Sequence, residues 1–241
     1  MSLEGKTVLI TGAAVRVGRA MALAVARAGG DVALHYGSSQ AEALALRAEI
    51  QALGRQAHLL QADLSESESV QGLVPAARQH GPLFALVNSA AIFEPLDLRS
   101  TSLEAWERHL AINLTAPFLL CQSFADALEP GQASRIVNIL DWRALRPGGD
   151  HLAYTISKAG LAALTRYLAI SLAPQVTVNA LALGAILPPG TGEPPPDLIR
   201  RVPAGRWAQL SEVGEALLFL LDGPTYITGE ILHLDGGRHL V

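Results

Sequence analysis

Apolar positions along this chain fall into short, β-branched runs, each ended by glycine or a small polar residue and followed by a stretch with helical spacing. Runs at residues 6–10, 31–36, 58–61, 83–87, 135–140, 176–180 and 229–234 read as strands. Helical patterns follow them: up to Gly29 after the first run, through Leu53 after the second, then over 103–128, from Tyr154 through Ala173, and over 211–221. A chain that alternates strand and helix in this way builds a parallel sheet with helical crossovers. The expected fold class is therefore α/β, one doubly wound Rossmann-type domain spanning residues 1–241, with no repeat or linker to divide it.

Composition narrows the function. At 241 residues, 50% of them hydrophobic, with a mean hydropathy of +0.29, the chain can bury one large core. Net charge is −4, the isoelectric point is about 6.0, and no basic cluster exceeds the Arg200-Arg201 pair. Nucleic acid and anionic membranes are thus unexpected partners. The single Cys121 lies in an apolar helical run with no metal-ligand spacing around it, so it reads as a core residue and no metal site is expected. The opening residues lead straight into a strand, and no apolar run reaches the roughly 18 residues of a membrane span. A soluble cytoplasmic protein is expected.

The chemistry concentrates between Asn138 and Lys158. An apolar run ends at Asp141, and Tyr154 opens a helix in which Lys158, one of only two lysines, follows at i+4 on the same face. A tyrosine becomes a proton donor near neutral pH if its pKa falls by about three units, or roughly 4 kcal/mol, which one charge at ~4 Å supplies in an effective dielectric of ~20. Lys158 is placed to supply that charge; a surface helix carrying a Tyr and a Lys is the plainer reading.

Earlier in the chain, Thr11-Gly12-Ala13-Ala14-Val15-Arg16-Val17-Gly18 joins the first strand to a helix. This is an arrangement in which small residues let backbone approach a pyrophosphate and the helix N-terminus favours its charge. The second strand ends in His35-Tyr36 with no acidic residue to hold ribose hydroxyls. Arg16 with Ser38 and Ser39 instead suits a 2′-phosphate, although both serines also suit helix capping. After the third strand, Asp63 either contacts an adenine amine or joins a cap with Ser65, and Leu64 lies beside it. The fourth strand ends in Asn88-Ser89-Ala90-Ala91-Ile92-Phe93, where Phe93 is either a core aromatic or a ligand contact outside a strand end. Pro117 lacks an N–H, so the Asn113 carbonyl four residues earlier is free for a water or a lysine, or the helix simply kinks there. Residues 186–196, rich in Pro and Gly, read as a lid or a surface loop.

Taken together, Thr11-Gly12 with Gly18, Asp63, Asn88 with Ala90, Asn113, Tyr154 with Lys158, Asn179 and Gly184 resemble the short-chain dehydrogenase/reductase family over essentially the whole chain. The resemblance implies a seven-stranded parallel sheet, a homotetramer and hydride transfer with NAD(P). Within that family, Arg16 in the glycine turn, His35-Tyr36 followed by Ser39, and Asp141 in place of the usual serine look like the pteridine reductases. That likeness implies NADPH as cofactor and a pterin-like small molecule as substrate. Asp141 and Tyr154 would form the proton relay, Lys158 would bind the nicotinamide ribose and lower the tyrosine pKa, and Asn113 would hold a supporting water. Thr11, Gly12, Arg16, Val17, Gly18, His35, Tyr36, Ser39, Asp63, Leu64, Asn88, Ala90 and Gly184 would line the cofactor. Phe93 would stack on the pterin, with Asp141, Tyr154 and His151 as further substrate contacts. Ala91, His151, Ser38 and Leu183 depart from that subgroup. The alternative is a short-chain reductase acting on another carbonyl or alcohol, with a protonated Asp141 polarising the oxygen.

Overall fold

The computed structural model describes residues 2–187 and 199–241. Its centre is one seven-stranded parallel sheet: β1 (Thr7–Ile10), β2 (Asp31–Tyr36), β3 (Ala57–Gln61), β4 (Leu83–Asn88), β5 (Ser134–Asp141), β6 (Val176–Leu183) and β7 (Ile231–Leu234), in the order β3-β2-β1-β4-β5-β6-β7. Parallel strands are covered on both faces, and for that reason they read as continuous apolar runs. β1 shows the consequence, because Val8 and Ile10 enter the core on one side and Leu9 the core on the other.

One face is covered by α1 (Arg16–Arg27), α2 (Gln40–Ala52) and α7 (Leu210–Asp222). α1 and α7 come close where Gly214 meets Ala24; a Cβ on Gly214 would lie 2.8 Å from the alanine methyl. α3 (Ser67–Arg78), α4 (Leu103–Leu110), α5 (Ala116–Asp126) and α6 (Leu152–Ser171) belong to the other layer. Strand order reverses between β1 and β4, and in open α/β sheets ligands bind in the crevice outside the strand ends at such a point. Among the described residues no helix is long and apolar enough to cross a membrane.

Three local departures from the sequence reading matter for the site. The helix expected over 103–128 is interrupted by a π turn, Ala111–Thr115, in which the Ala116 N–H reaches back five residues to the Ala111 carbonyl. Pro117 explains it: with no N–H at that position the regular ladder cannot continue through Asn113, and the chain widens by one residue. β6 runs three residues beyond the expected Ala180, pairing Leu181, Ala182 and Leu183 with Ile139, Leu140 and Asp141, so Asp141 is the last residue of an ordered ladder. Ser65 is not a helix cap, because α3 starts at Ser67; its N–H and hydroxyl both donate to the Asp63 carboxylate, at 2.9 and 2.8 Å. Most of the expected lid, from residue 188 onward, lies outside the described residues.

Candidate active site

The glycine turn after β1 is shaped by what it cannot accommodate. A Cβ on Gly12, whose φ is +63°, would fall 2.9 Å from Ala90 Cα, and one on Gly18 would fall 2.0 Å from the Gly12 carbonyl oxygen. Backbone from β1, α1 and the end of β4 is therefore drawn together where only small residues fit. The Thr11 hydroxyl ties the two strand ends by accepting from the N–H groups of Ser89 and Ala90 at 2.9 and 3.0 Å. The first turn of α1 has no acidic residue and no side-chain cap, which leaves its N–H groups and its positive dipole end for an anion. Arg16 is the first residue of that helix, exposed, with a left-handed φ of +52°. Ser39 precedes α2 without using its hydroxyl as a cap. Val17 is half-buried against the core, and Tyr36 and Leu64 are buried.

His35 corrects the expectation of a direct cofactor contact. Its ring is 2% exposed, its Nδ1 accepts from the Gly12 N–H at 3.1 Å, and its Nε2 faces the Ala62 carbonyl at 3.2 Å. It supports the glycine turn from beneath. Accepting at Nδ1 requires a neutral ring, and burial pushes the His35 pKa below its usual value. The unfolded chain therefore takes up a proton that the folded one refuses. The His35 contribution to stability is complete above about pH 6.5 and is lost as pH falls below it. The melting temperature is expected to drop from pH 7.5 to 5.5, and by less in His35→Gln; an equal drop in both proteins would show that His35 is not the sensitive group.

Gly184 packs against the turn after β7, where a Cβ would lie 2.5 Å from Asp235 Cα, and its N–H donates to the Leu234 carbonyl at 3.0 Å. Asp63 is exposed at the β3 end, its carboxyl held low by the Ser65 hydrogen bonds. Asn88 and Asn138 are paired in register, the first donating to the second at 2.8 Å and the second to Thr165 at 2.9 Å. The Asn88 Oδ1 is buried without a hydrogen-bond partner, the kind of orphan that a bound group with a donor satisfies. An α1 N-terminus with no side-chain cap, a sterically closed glycine turn and the orphaned Asn88 oxygen together fit a dinucleotide.

At the end of β5 the Asp141 carboxylate accepts from the Arg143 N–H at 2.8 Å and lies near enough to Tyr154 for its charge to act on the phenol. Burial pushes the Asp141 pKa up, against the pull of Arg143 and Lys158. Tyr154 lies in the first turn of α6 and is 7% exposed; burial, then the Asp141 charge, push its pKa well above the ordinary value. Lys158 Nζ lies 5.9 Å from the centroid of the Tyr154 ring. The Lys158 ammonium is itself buried, its pKa is depressed to about 8, and it donates to the Ile139 carbonyl at 2.8 Å. Burial disfavours the charged form of both groups.

Asn113, in the π turn, is fully buried and grips the residue before Phe93 from both sides. Its Oδ1 accepts from the Ile92 N–H at 2.9 Å, and its Nδ2 donates to the Ile92 carbonyl at 3.0 Å and to the Ser157 hydroxyl at 3.1 Å. Ser157 donates in turn to the Tyr154 carbonyl at 2.7 Å. A single buried amide thus fixes the Phe93 segment relative to the first turn of α6. Phe93 is half exposed, meets Tyr154 edge-on at 4.6 Å between centroids, and stacks on His151 at 4.1 Å. His151 itself takes the left-handed conformation before α6. Trp142, Arg143 and Ser157 are site residues that the sequence did not disclose, since nothing in their spacing distinguishes them from surface or helix positions.

Comparison with known proteins bears on this arrangement. A family model described as enoyl-(acyl carrier protein) reductase matches residues 12–239. The chain belongs to the short-chain dehydrogenase/reductase family. A curated member of that family, the 3-oxoacyl-[acyl-carrier-protein] reductase of Synechocystis, is 32% identical over 98% of both chains. Among solved structures, the FolM alternative dihydrofolate reductase 1 of Brucella canis, complexed with NADP, is 36% identical, covers 100% of this chain and 97% of its own, and superposes with a TM-score of 0.91. A blue fluorescent protein from a metagenomic library, in complex with NADPH, is 32% identical over 99% of both chains with a TM-score of 0.93. The oxidoreductase family and its single Rossmann-type sheet are established by these matches together with the observed topology.

Proposed function

We propose that the protein is an NADPH-dependent reductase of a pterin ring, of the dihydropteridine or dihydrofolate class. The observation that carries this is a largely buried carboxyl, Asp141, with its pKa raised and its charge acting on Tyr154, whose ring meets the half-exposed Phe93 edge-on. An ionised carboxylate only accepts, whereas a protonated one both accepts and donates, as a heterocycle with ring nitrogens and an amino group requires. The likeness to FolM proteins agrees with this reading. The relatives named as 3-oxoacyl reductases favour a second reading, a ketone substrate, in which Asp141, when protonated, would polarise the carbonyl oxygen.

In the cofactor cradle, Gly12, Gly18 and the α1 N-terminus would hold the pyrophosphate, Arg16 with Ser39 the 2′-phosphate, Asn88 and Ala90 the region near the ring, and Lys158 the ribose. A bound dinucleotide would supply the hydride. Tyr154 would deliver the proton from its hydroxyl to the ring nitrogen next to the carbon being reduced, and a protonated Asp141 beside it would return a proton to the phenolate. Lys158 stabilises the transient phenolate charge from its fixed place on the Ile139 carbonyl. Asn113 and Ser157 keep Tyr154 and Phe93 in register. Phe93 holds the flat substrate against the proton donor and excludes water.

Arg16→Ala should raise the Kd for NADPH about tenfold or more and change that for NADH little, as expected for one lost charge-assisted contact to phosphate. Equal weakening of both cofactors would remove Arg16 from the 2′-phosphate. We also propose a homotetramer. α5 and α6 present Phe118, Tyr167 and Ile170, 43, 68 and 82% exposed, beside an apolar groove of about 430 Å³, a surface that a second copy would cover. Sedimentation equilibrium should give four times the monomer mass; a monomer at micromolar concentration would refute it.

A further inference from the structure

The C-terminal segment brings a second cation to the Asp141 site. Arg238 lies over the Trp142 ring with its guanidinium carbon 4.8 Å from the ring centroid, and Arg143 lies over the same ring at 4.8 Å. The two guanidinium carbons are therefore no further apart than twice that distance. Arg143 also reaches the Phe93 ring, at 5.7 Å, and its Nε is buried with no hydrogen-bond partner. Arg238 donates to the Arg201 carbonyl at 3.0 Å, while Arg146 is anchored on the carbonyls of His239 and Val241. Burial disfavours the Arg238 charge, Arg201, Arg146 and Arg143 disfavour it further, and Asp235 offsets part of this.

Carboxylates in the neighbourhood are already engaged. Asp235 accepts from the His239 Nδ1 and N–H, both at 2.8 Å, and from the Gly237 N–H at 2.9 Å. Asp150 is shared between His151 at 2.9 Å and Arg143 at 3.4 Å. Asp141 pairs with Arg143 at 3.6 Å and accepts from its N–H at 2.8 Å. Guanidinium groups crowded beside a substrate platform, one with a buried orphan donor, are costly to assemble unless an anion completes them.

We infer that Arg143 and Arg238, clamped on Trp142, form a subsite for a carboxylate carried on the substrate, so that the preferred pterin bears an anionic tail. The inference rests on the pterin reading above and adds to it the class of substituent. Arg143 makes the contact nearest Phe93, and Arg238 takes the outer carboxylate oxygens, with Arg201 and Arg146 raising the local potential behind it.

The test compares dihydrofolate, whose glutamate tail is anionic, with dihydrobiopterin, whose side chain is neutral, using NADPH with the wild-type protein, Arg238→Gln and Arg238→Lys. Wild type is expected to favour dihydrofolate in kcat/KM, chiefly through KM. Arg238→Gln should reduce that preference about tenfold, the scale of one lost hydrogen bond to a charged group, and Arg238→Lys should restore part of it. Turnover of both pterins with no preference, or a preference that Arg238→Gln leaves intact, overturns the subsite while the pterin reading stands. If neither pterin is reduced, the pterin reading fails and calorimetry with para-aminobenzoylglutamate, the tail alone, decides the subsite separately. Binding to wild type that is lost in Arg238→Gln upholds it, and no binding to wild type overturns it.

Discussion

Replacing Tyr154 by phenylalanine is expected to lower kcat by a factor of about 10²–10⁴ while leaving NADPH affinity close to wild type. The substitution deletes one oxygen and keeps the ring, so the edge-on packing against Phe93 at 4.6 Å and the α6 backbone held by Ser157 are preserved. What disappears is the hydroxyl on which the Asp141 charge acts, beside the Phe93 ring. Fluorescence titration with NADPH checks that the cradle is intact, and stopped-flow hydride transfer measures the loss. Turnover within a few-fold of wild type would take the proton donor away from Tyr154.

Asp141→Asn is expected to have the second largest effect, and its pH dependence is the informative part. Burial raises the Asp141 pKa, so the carboxyl is protonated below that value and charged above it. A relay that needs the protonated form is most active at low pH and declines as pH rises through the elevated pKa. Asparagine keeps the acceptor that meets the Arg143 N–H at 2.8 Å but has no proton to transfer. The rate should fall by about 10²-fold at acidic pH and the declining limb should vanish. Stability should move the other way. The folded state binds the Asp141 proton more tightly than the unfolded state does, so wild type loses stability as pH rises, and the neutral amide escapes that loss. Asp141→Asn is therefore expected to melt higher than wild type at alkaline pH. An unchanged pH–rate profile would mean that Asp141 is only a structural end to β5.

The sheet was legible because its strands are buried on both faces. β2 coincides with its apolar run from Asp31 to Tyr36, and β4 differs by the single residue Asn88. Asp141 and Tyr154 were legible for a different reason: a polar residue ending an apolar run, and an i+4 pair opening a helix, are local patterns. What escaped depends on distance along the chain. That His35 turns inward follows from the Gly12 N–H, 23 residues away, needing an acceptor. The joint role of Asn113 and Ser157 needs the π turn, whose widening no spacing rule announces until the proline is seen in three dimensions. Arg143 looked like an ordinary polar residue after a strand, yet it is half-buried among Asp141, Asp150, Trp142 and Phe93. For Tyr154 and Lys158, charge proximity can be read from i+4 spacing, whereas the burial of both partners, which disfavours their charged forms, cannot.

The most direct measurement is steady-state oxidation of NADPH, followed by its near-ultraviolet absorbance, with dihydrobiopterin, dihydromonapterin and dihydrofolate offered in turn and NADH as the control cofactor. Turnover of at least one pterin with NADPH, much faster than with NADH, is the expected result. Tight NADPH binding with no oxidation by any of the three, alongside reduction of a ketone substrate, would contradict the pterin reading and leave Asp141 as a carbonyl-polarising acid.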